Sequence, residues 1–325
     1  MKKKHVIVSS PYRISLGGGG TDLPFYASKK GGFLITAAID EFITVSVAKR
    51  YIDKKIFLQY SSTEIANSLD EISHKLFKEV LKYFKIKESF QIATFSTLPS
   101  YTGLGASSTL IVGLVKAIYE LNDKPIGPIK LAEEAFHIER EILGLAGGYQ
   151  DQYIAALGGI QILNISKELK VNPEPLVIGD KELEKLQNSL FLIHTGIERN
   201  SEKIISDQQK ELNIFKGYDQ IKAIGKSSAE YIQRGEVHKL GISMDNHWKI
   251  KKRLTKMITN SSIDKMYLEL KSFGSPGGKI IGAGGGGFFL MVVDKNQSEF
   301  IRKAKESNYK FINFVFETKG AHTLE

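Results

Sequence analysis

The first half of the chain alternates between short apolar runs and segments in which apolar residues recur at helical spacing. HVIVSS, FLITAAIDEFITVSVAKRY, KIFLQY and FQIATFSTL predict strands, because β-branched and aromatic residues favour extended backbone. DEISHKLFKEVLKYF and IKLAEEAFHIEREIL place their apolar residues on one helical face. GASSTLIVGLVKAIYEL predicts a further helix that opens on serines, which are good N-caps, and GGIQILNI predicts a strand.

The pattern changes at KVNPEPLVIGDKEL, where two prolines and a polar stretch predict a domain boundary near residue 175. We therefore predict one domain over residues 1–175 and a second over 176–325. In the second, LFLIHTG predicts a strand and the chain from Ser201 to about Phe273 predicts several helices. FFLMVV, SEFIRKAKES and FINFVFET then predict a strand, a helix and a last strand. Strands and helices in separate runs favour an α+β fold.

Three glycine-rich loops adjoin these apolar runs: PYRISLGGGGTDLPFY, LPSYTGLGASSTLIVG and SPGGKIIGAGGGGFFLMVV. In the second, Gly103 and Gly105 leave the backbone bare before Ser107 and Ser108 open a helix, an arrangement that attracts anions. The alternative is a tight turn with an N-cap. No stretch has the Walker A spacing, and GLGASS has Ser108 where a dinucleotide fingerprint needs its third glycine.

The first loop carries polar groups on both sides of its glycines. Arg13, just before them, could bind a phosphate with two hydrogen bonds or lower a nearby pKa. Asp22, just after them, could accept hydrogen bonds from two sugar hydroxyls. The alternatives are a surface turn with a solvated Asp22 and, for the third loop, a crowded strand entry where only glycine fits.

Composition narrows the classes of protein. The chain has 325 residues, no cysteine and a net charge of +9. Disulfides, cysteine nucleophiles and cysteine–zinc sites are therefore excluded, and no histidine spacing predicts zinc. No apolar run reaches the roughly 18 to 20 residues of a membrane span, and the start lacks the apolar core of a secretory signal, so we expect a cytoplasmic protein. The charge fits a lysine-rich surface or an anionic ligand better than nucleic acid.

Taken together and in this order, the three loops resemble the motifs of the GHMP small-molecule kinases. SPYRISLGGGGTD is similar to the first motif, PSYTGLGASST to the second and KIIGAGGGG to the third. Gly19 and Gly20 replace the Glu-His of the galactokinase-like pattern, and Ala106 replaces a serine. The resemblance implies ATP and Mg²⁺ as cofactors. It also implies a ribosomal-protein-S5-like N-terminal domain and a ferredoxin-like C-terminal domain, with the active site in the cleft between them.

The resemblance also implies roles for individual residues. Asp151, in GGYQDQ, would be the catalytic base, and Arg13 would keep it ionised and offset charge on the transferring phosphoryl group. Mg²⁺ would be bound by Glu139 and Ser107, with Glu141 and Ser108 as the alternatives. The predicted ATP-binding residues are Pro99, Gly103, Leu104, Gly105, Ala106, Ser107, Ser108 and Thr109. The predicted substrate-binding residues are Gly19, Gly20, Thr21, Asp22, Gly148, Asp151, Arg199, Gly284 and Gly285.

The sequence indicates the substrate less clearly than it indicates the family. The first loop and GGYQDQY look most similar to family members that act on D-glycero-D-manno-heptose 7-phosphate. This implies phosphorylation of the anomeric hydroxyl to the 1,7-bisphosphate, for nucleotide-activated heptose and surface polysaccharide. A phosphorylated substrate needs a second anion pocket, for which Arg199, Asn200, Ser201 and the basic residues Lys249, Lys251, Lys252 and Arg253 are candidates. Trp248 could stack on a ligand or pack in the core.

Several alternatives stay open at this point. The enzyme could act on another sugar, such as L-fucose, galactose or a uronic acid, since the fucokinase domain has similar turns. A non-catalytic GHMP-fold binding protein is disfavoured by the presence of Asp151 and Arg13. A nucleic-acid-binding protein would use only the net charge. We expect small-molecule partners, ATP and a sugar phosphate, without nucleic acid or membrane, and a monomer or homodimer.

Overall fold

The computed structural model describes residues 3–86, 89–99, 102–198, 201–208 and 214–324. Its strands are β1 (His5–Gly17), β2 (Gly32–Arg50), β3 (Ile56–Gln59), β4 (Thr63–Ala66), β5 (Ser89–Ser96), β6 (Ile160–Ile165), β7 (Val171–Pro175), β8 (Leu190–His194), β9 (Gly277–Ile280), β10 (Phe288–Val292), β11 (Lys310–Ile312) and β12 (His322–Leu324). Its α-helices are α1 (Pro24–Lys30), α2 (Lys75–Tyr83), α3 (Ala106–Leu121), α4 (Pro128–Phe136), α5 (Gln150–Leu157), α6 (Asp180–Ser189), α7 (Ser201–Gln208), α8 (Ile214–Gln233), α9 (Val237–Lys251), α10 (Ser261–Ser272) and α11 (Gln297–Glu306). A π-helix covers His137–Ile142, and 3-10 turns cover Leu69–Glu71 and Lys256–Ile258.

The larger sheet is built around the long strand β2. Its strands run in the order β12-β1-β2-β5-β3-β4, and β6 also pairs with β2 and carries β7. The first half of β2 pairs with β6 and the second half with β5, so the sheet divides along this strand. Only β3 and β5 are parallel among the described pairs. Helices α3, α5 and α8 all pack on β1, which explains why that strand is apolar and buried along most of its length.

The smaller sheet has the order β11-β8-β10-β9, with all neighbours antiparallel. The chain from β8 to β11 contributes a strand, helices, two strands, a helix and a strand. Counted within this segment, the strand order is fourth, first, third, second. This is the ferredoxin-like β-α-β-β-α-β arrangement, and it confirms the predicted α+β class and the ferredoxin-like C-terminal half.

Two apolar clusters form the core. One lies along the larger sheet and continues into Leu192, Phe288 and Leu290 of the smaller one. The other surrounds Trp248, which is fully buried against Tyr267 and Phe289, so this tryptophan packs in the core rather than facing a ligand. Since the core continues past residue 175 and β12 returns to pair with β1, the two halves are not independent in space. The division at residue 175 stays a prediction.

One predicted strand is wrong over most of its length. FINFVFET forms a strand only over Lys310–Ile312. Beyond it, the Gln187 side chain donates to the Phe314 carbonyl (2.7 Å) and accepts from the Phe316 amide (2.8 Å). The Gln187 side chain therefore satisfies two of the backbone groups that a strand would pair, and Phe316 keeps a single bridge to Ile39 of β2.

Local signals also failed at two other places. The two prolines that predicted a linker lie in the short strand β7, whose neighbour among the described strands is β6. β7 is therefore an edge strand, and proline is tolerated there because the outer edge has no partner strand to accept a backbone N–H. The helix predicted over IKLAEEAFHIEREIL changes from α4 to the π-helix at His137. No helix in the described part of the chain combines the length and the apolarity required to cross a membrane.

Candidate active site

Arg13 and Asp151 form a two-point ion pair where β1 meets the start of α5. Arg13 Nε donates to Asp151 Oδ1 (2.6 Å) and Nη2 donates to Oδ2 (2.8 Å). Arg13 Nη1 donates to the Gly103 carbonyl (2.6 Å), which ties the pair to the second glycine loop. The Arg13 side chain is 4% exposed and that of Asp151 17%, so the carboxylate is the accessible member. The structure thus brings together the two predicted catalytic residues.

The turn before Asp151 is fixed by packing on α4. The Tyr149 ring stacks on Phe136 with centroids 4.0 Å apart and planes nearly parallel. Gly148 lies so close to Asp22 that a Cβ there would be 2.0 Å from Asp22 Oδ2. Glycine is therefore required at position 148 if the Asp22 and Asp151 segments are to meet.

The second glycine loop ends at an anion-binding helix terminus. Gly105 caps α3 with left-handed backbone, and the helix begins at Ala106. The first amides of a helix have no helical acceptor, so those from Ala106 to Ser108 can bind a phosphate. A Cβ on Gly105 would lie 3.2 Å from Asp151 Oδ2. An anion bound at this terminus would therefore lie beside the catalytic pair.

Asp22 forms the opposite wall of the site. Its Oδ1 accepts from the Gly20 amide and its Oδ2 from the Gln150 amide, each at 3.1 Å. Burial raises the pKa of Asp22 above its usual value, and the nearby charge of Asp151 adds to this, while the Gln150 amide opposes it. Each carboxylate oxygen keeps a second lone pair, but Asp22 is 1% exposed, and its role in sugar binding stays a prediction.

Glu139 forms a separate buried cluster behind the loop. The π-helix places its carboxylate inward, where Oε2 accepts from Ser108 Oγ (2.6 Å) and from Gln152 Nε2 (2.6 Å). Arg140 Nη1 lies 3.5 Å from Glu139 Oε1. The structure brings Ser108 rather than the exposed Ser107 to Glu139, and it leaves Glu141 on the surface beside His137. The contact favours the alternative Ser108 over Ser107 beside Glu139, and the choice of metal-binding serine stays a prediction.

This cluster fits a magnesium ion that arrives with a nucleotide. Mg²⁺ in such enzymes is bound by one or two carboxylates together with substrate phosphates and waters. Glu139 supplies the carboxylate and Ser108 a hydroxyl. The fully buried Gln152 Oε1 has no hydrogen-bond partner among the described residues, so it could accept from a metal-bound water. The described residues contain no group of three or more acidic or histidine side chains that would bind a metal without the nucleotide.

The third glycine loop, between β9 and β10, closes against the second. Gly287 has positive φ, and a Cβ there would lie 2.1 Å from the Thr102 carbonyl oxygen. Only glycine permits this approach, so the two sheets meet through their loops at Thr102. Gly284 packs on Ile258, and the Gly285 amide donates to the Ile258 carbonyl (2.7 Å). A role for Gly284 and Gly285 in substrate binding stays a prediction.

Other predicted residues are held by structural contacts. The Thr21 hydroxyl is buried between the carbonyls of Gly18 and Phe33, and Thr109 donates to the Pro11 carbonyl (3.4 Å). Leu104 is fully buried. These three side chains therefore shape the loops, and only their backbones are left for ligands. Pro99 lies on the surface at the start of the second loop, and Arg199 and Asn200 lie outside the described residues.

The basic residues proposed for a second anion pocket are mostly neutralised. Lys249 pairs with Asp245 (2.6 Å) and Lys252 with Asp264 (2.8 Å). Lys251 instead turns inward and donates to the Gly282 carbonyl. Lys249 and Lys252 are therefore poor candidates for a substrate phosphate.

Sequence reasoning missed Gln152 and Arg140. The two glutamines of YQDQ were a usable signal, because each lies one residue from Asp151. Glu139, which Gln152 contacts, lies 13 residues earlier in another helix, so no helical spacing could show the contact. Arg140 donates to the Leu145 and Ala146 carbonyls and so holds the segment that leads into the GGYQD turn.

Comparisons with known proteins agree with this geometry. The model of the GHMP kinase N-terminal domain matches residues 72–159, and that of the GHMP kinase C-terminal domain matches residues 228–310. The chain is 31% identical to a D-glycero-alpha-D-manno-heptose 7-phosphate kinase of Campylobacter jejuni, with 98% of each chain covered. It is 24% identical to a bifunctional fucokinase/GDP-fucose pyrophosphorylase of Arabidopsis thaliana over 94% of this chain and 31% of the relative.

Solved structures of sugar kinases share this fold over nearly the whole chain. A D-glycero-D-manno-heptose 1-phosphate kinase from Bacteroides thetaiotaomicron superposes with a TM-score of 0.82 at 25% identity, covering 98% of this chain and 99% of the other. A putative sugar kinase from Campylobacter jejuni superposes with a TM-score of 0.80 at 30% identity, covering 99% of this chain and 98% of the other. The similarity therefore extends over both sheets and not only over the loops.

Proposed function

Because the chain belongs to the GHMP kinase family and is an ATP-dependent kinase, we propose that it phosphorylates the anomeric hydroxyl of D-glycero-D-manno-heptose 7-phosphate. The product would be the 1,7-bisphosphate, an intermediate suited to making nucleotide-activated heptose for surface polysaccharide in the cytoplasm. The named activity of the Campylobacter relative supports this choice of substrate.

The observation that carries the proposal is the juxtaposition of Asp22, Asp151 and the α3 terminus. Asp22 and Asp151 are joined through the Gln150 amide, and Gly105 brings the phosphate-binding terminus against Asp151. A sugar that is hydrogen-bonded to Asp22 would present a neighbouring hydroxyl to Asp151. Positioning of this kind accounts for most of the catalysis in phosphoryl transfer.

Each residue then has a defined part in the reaction. Asp151 accepts the proton of the anomeric hydroxyl while that oxygen bonds to the γ-phosphorus of ATP and the bond to ADP breaks. Arg13 occupies one lone pair on each Asp151 oxygen, which leaves the others free for this proton, and it offsets charge on the phosphoryl group. Glu139 and Ser108 would hold Mg²⁺, which neutralises the nucleotide phosphates.

The names of two similar proteins differ on where the substrate already carries its phosphate. The Campylobacter relative is named a 7-phosphate kinase, whereas the Bacteroides structure is named a 1-phosphate kinase. A substrate with phosphate at C1 could not be phosphorylated there again. The position of the free hydroxyl is therefore the point that the assay must decide.

The test is a coupled ADP-release assay with ATP and Mg²⁺. Its substrates are D-glycero-D-manno-heptose 7-phosphate, the corresponding 1-phosphate, mannose, L-fucose, galactose and glucuronic acid. We expect turnover with the 7-phosphate and a bisphosphate product whose new phosphorus couples to the anomeric proton in NMR. Turnover only with the 1-phosphate or only with a neutral sugar would overturn the proposed substrate while leaving the kinase activity in place.

A further inference from the structure

Lys279 is a buried cation that the proposed mechanism does not use. It lies in β9, just before the third glycine loop, and is 2% exposed. No carboxylate in the described parts of the chain lies within ion-pairing distance of its ammonium. Burying an ammonium without a counter-charge is costly, so burial favours the neutral amine, and an anion that arrives beside it would favour the charged form.

Two further basic side chains lie beside Lys279. Helix α9 packs on β9 and carries His247 and Lys251 one helical turn apart. Neither ring nitrogen of the buried His247 has a hydrogen-bond partner among the described residues. Lys251 donates to the Gly282 carbonyl at the end of β9. We refer to His247 and Lys279 as the basic floor.

Among the described residues, no carboxylate is left to pair with Lys279. The nearest carboxylate on α9, Asp245, is already bound by Lys249 (2.6 Å), Lys271 (3.1 Å) and the Tyr267 hydroxyl (2.6 Å). Burial holds the pKa of Lys279 well below its usual value, and the charges of Lys251 and Arg13 lower it further. The basic floor therefore repels a further cation and gains from an anion.

The basic floor adjoins the catalytic residues. Arg13 donates to the Gly103 carbonyl, and the neighbouring Thr102 carbonyl touches Gly287 of the third loop. That loop connects β10 to the strand that carries Lys279. Lys279 pairs with Leu290, whose side chain packs in the cluster along the larger sheet, so the lysine lies on the face of the smaller sheet that is turned toward β1 and Arg13. The charge of Arg13 lowers the pKa of Lys279, which agrees with this placement.

We propose that Lys279, with His247 beside it, binds a phosphate group of a bound substrate at the junction of the second and third glycine loops. The inference rests on the proposed kinase function and identifies a phosphate contact outside the residues assigned above. The ammonium offers three donors and the neutral imidazole one, which suits the many oxygens of a phosphate. The phosphate is either the one transferred from ATP or the one that the sugar already carries.

The test compares Lys279→Met and His247→Gln with the wild type in calorimetric binding of ATP, ADP, the heptose 7-phosphate, mannose and inorganic phosphate. Lys239→Met is the matched control, because it removes one positive charge from an exposed site on α9 that pairs with Glu236. We expect Lys279→Met to weaken at least one phosphate ligand by about 10- to 100-fold, the usual scale for a hydrogen bond between charged groups. Mannose binding and the control should not change.

The pattern of loss identifies the source of the phosphate. A loss for the heptose 7-phosphate but not for ATP assigns the phosphate carried by the sugar. A loss of affinity for ATP but not for ADP assigns the transferred phosphate. This comparison stays informative even if the wild type phosphorylates only a neutral sugar. Unchanged affinities for every phosphate ligand in folded Lys279→Met would overturn the proposal. If that variant does not fold, unchanged affinities in His247→Gln would overturn it instead.

Discussion

The two carboxylates at the centre of the site, Asp151 and Glu139, lie close in the chain but in different surroundings. Asp151 keeps part of its surface accessible and is held by the charged Arg13. Glu139 is sealed from solvent and is held mainly by a hydroxyl and an amide. A proton acceptor must reach the substrate, whereas a metal ligand must be held in one orientation. The contrast supports a division of labour that residue type could not reveal.

The largest expected effect comes from the accessible carboxylate. Asp151→Asn should lower kcat by about 10² to 10⁴, because the amide cannot accept the hydroxyl proton. It should leave the KM for both substrates within a few-fold, since Asn retains the size and one acceptor for Arg13. Steady-state kinetics with circular dichroism of the folded variant checks this. Turnover equal to the wild type would remove Asp151 as the base.

The buried carboxylate of Glu139 should instead affect the binding of Mg²⁺. Glu139→Gln should raise the Mg²⁺ concentration for half-maximal activity by about 10- to 100-fold, because a neutral amide is a weak ligand for a hard cation. Mn²⁺ binding in the presence of ADP, measured by electron paramagnetic resonance, gives a readout independent of turnover. If Asp151→Asn weakened Mn²⁺ binding as much as Glu139→Gln, the contrast between the two carboxylates would fail.

A third carboxylate, Asp22, which is buried beside the turn that carries Asp151, tests whether this part of the site binds the sugar. Asp22→Asn should raise the KM for the sugar by roughly tenfold, because an amide accepts fewer hydrogen bonds than a carboxylate. Because the pKa of Asp22 is raised, its carboxylate becomes protonated at a higher pH than an ordinary aspartate does. Sugar affinity of the wild type should therefore fall as the pH is lowered into that region. The variant should lack this part of the pH profile, and retention of the full profile would assign it to another group.

The smallest expected effect compares two adjacent serines. Ser108→Ala should raise the Mg²⁺ requirement several-fold, to about tenfold, because it removes the hydroxyl that contacts Glu139. Ser107→Ala, one residue away and exposed, is the matched control and should change it by less than about twofold. Titration of activity with Mg²⁺ checks the ranking. The reverse ranking would restore Ser107 as the metal-binding serine.

Local patterns predicted what depends on local physics. Bare glycine backbone before serines predicted an anion-binding terminus at Gly105, and the structure caps α3 at that residue. Residues 33–51 predicted a strand, and β2 covers Gly32–Arg50. Tertiary contacts overrode local signals elsewhere: Gln187 replaced a strand pairing near Phe314, and the π-helix replaced the regular turn at Glu139.

The sequence by itself determined the family resemblance and the α+β class, because these follow from motifs and patterns that are visible along the chain. The pairing of Arg13 with Asp151 was only an implication of that resemblance. Only the tertiary structure decided that Ser108 rather than Ser107 contacts Glu139, that Lys249 and Lys252 pair with carboxylates, and that Lys279 has no carboxylate partner among the described residues. Which way a side chain faces depends on the helix or strand packed against it. That partner lies far away in the chain, so no local spacing records it.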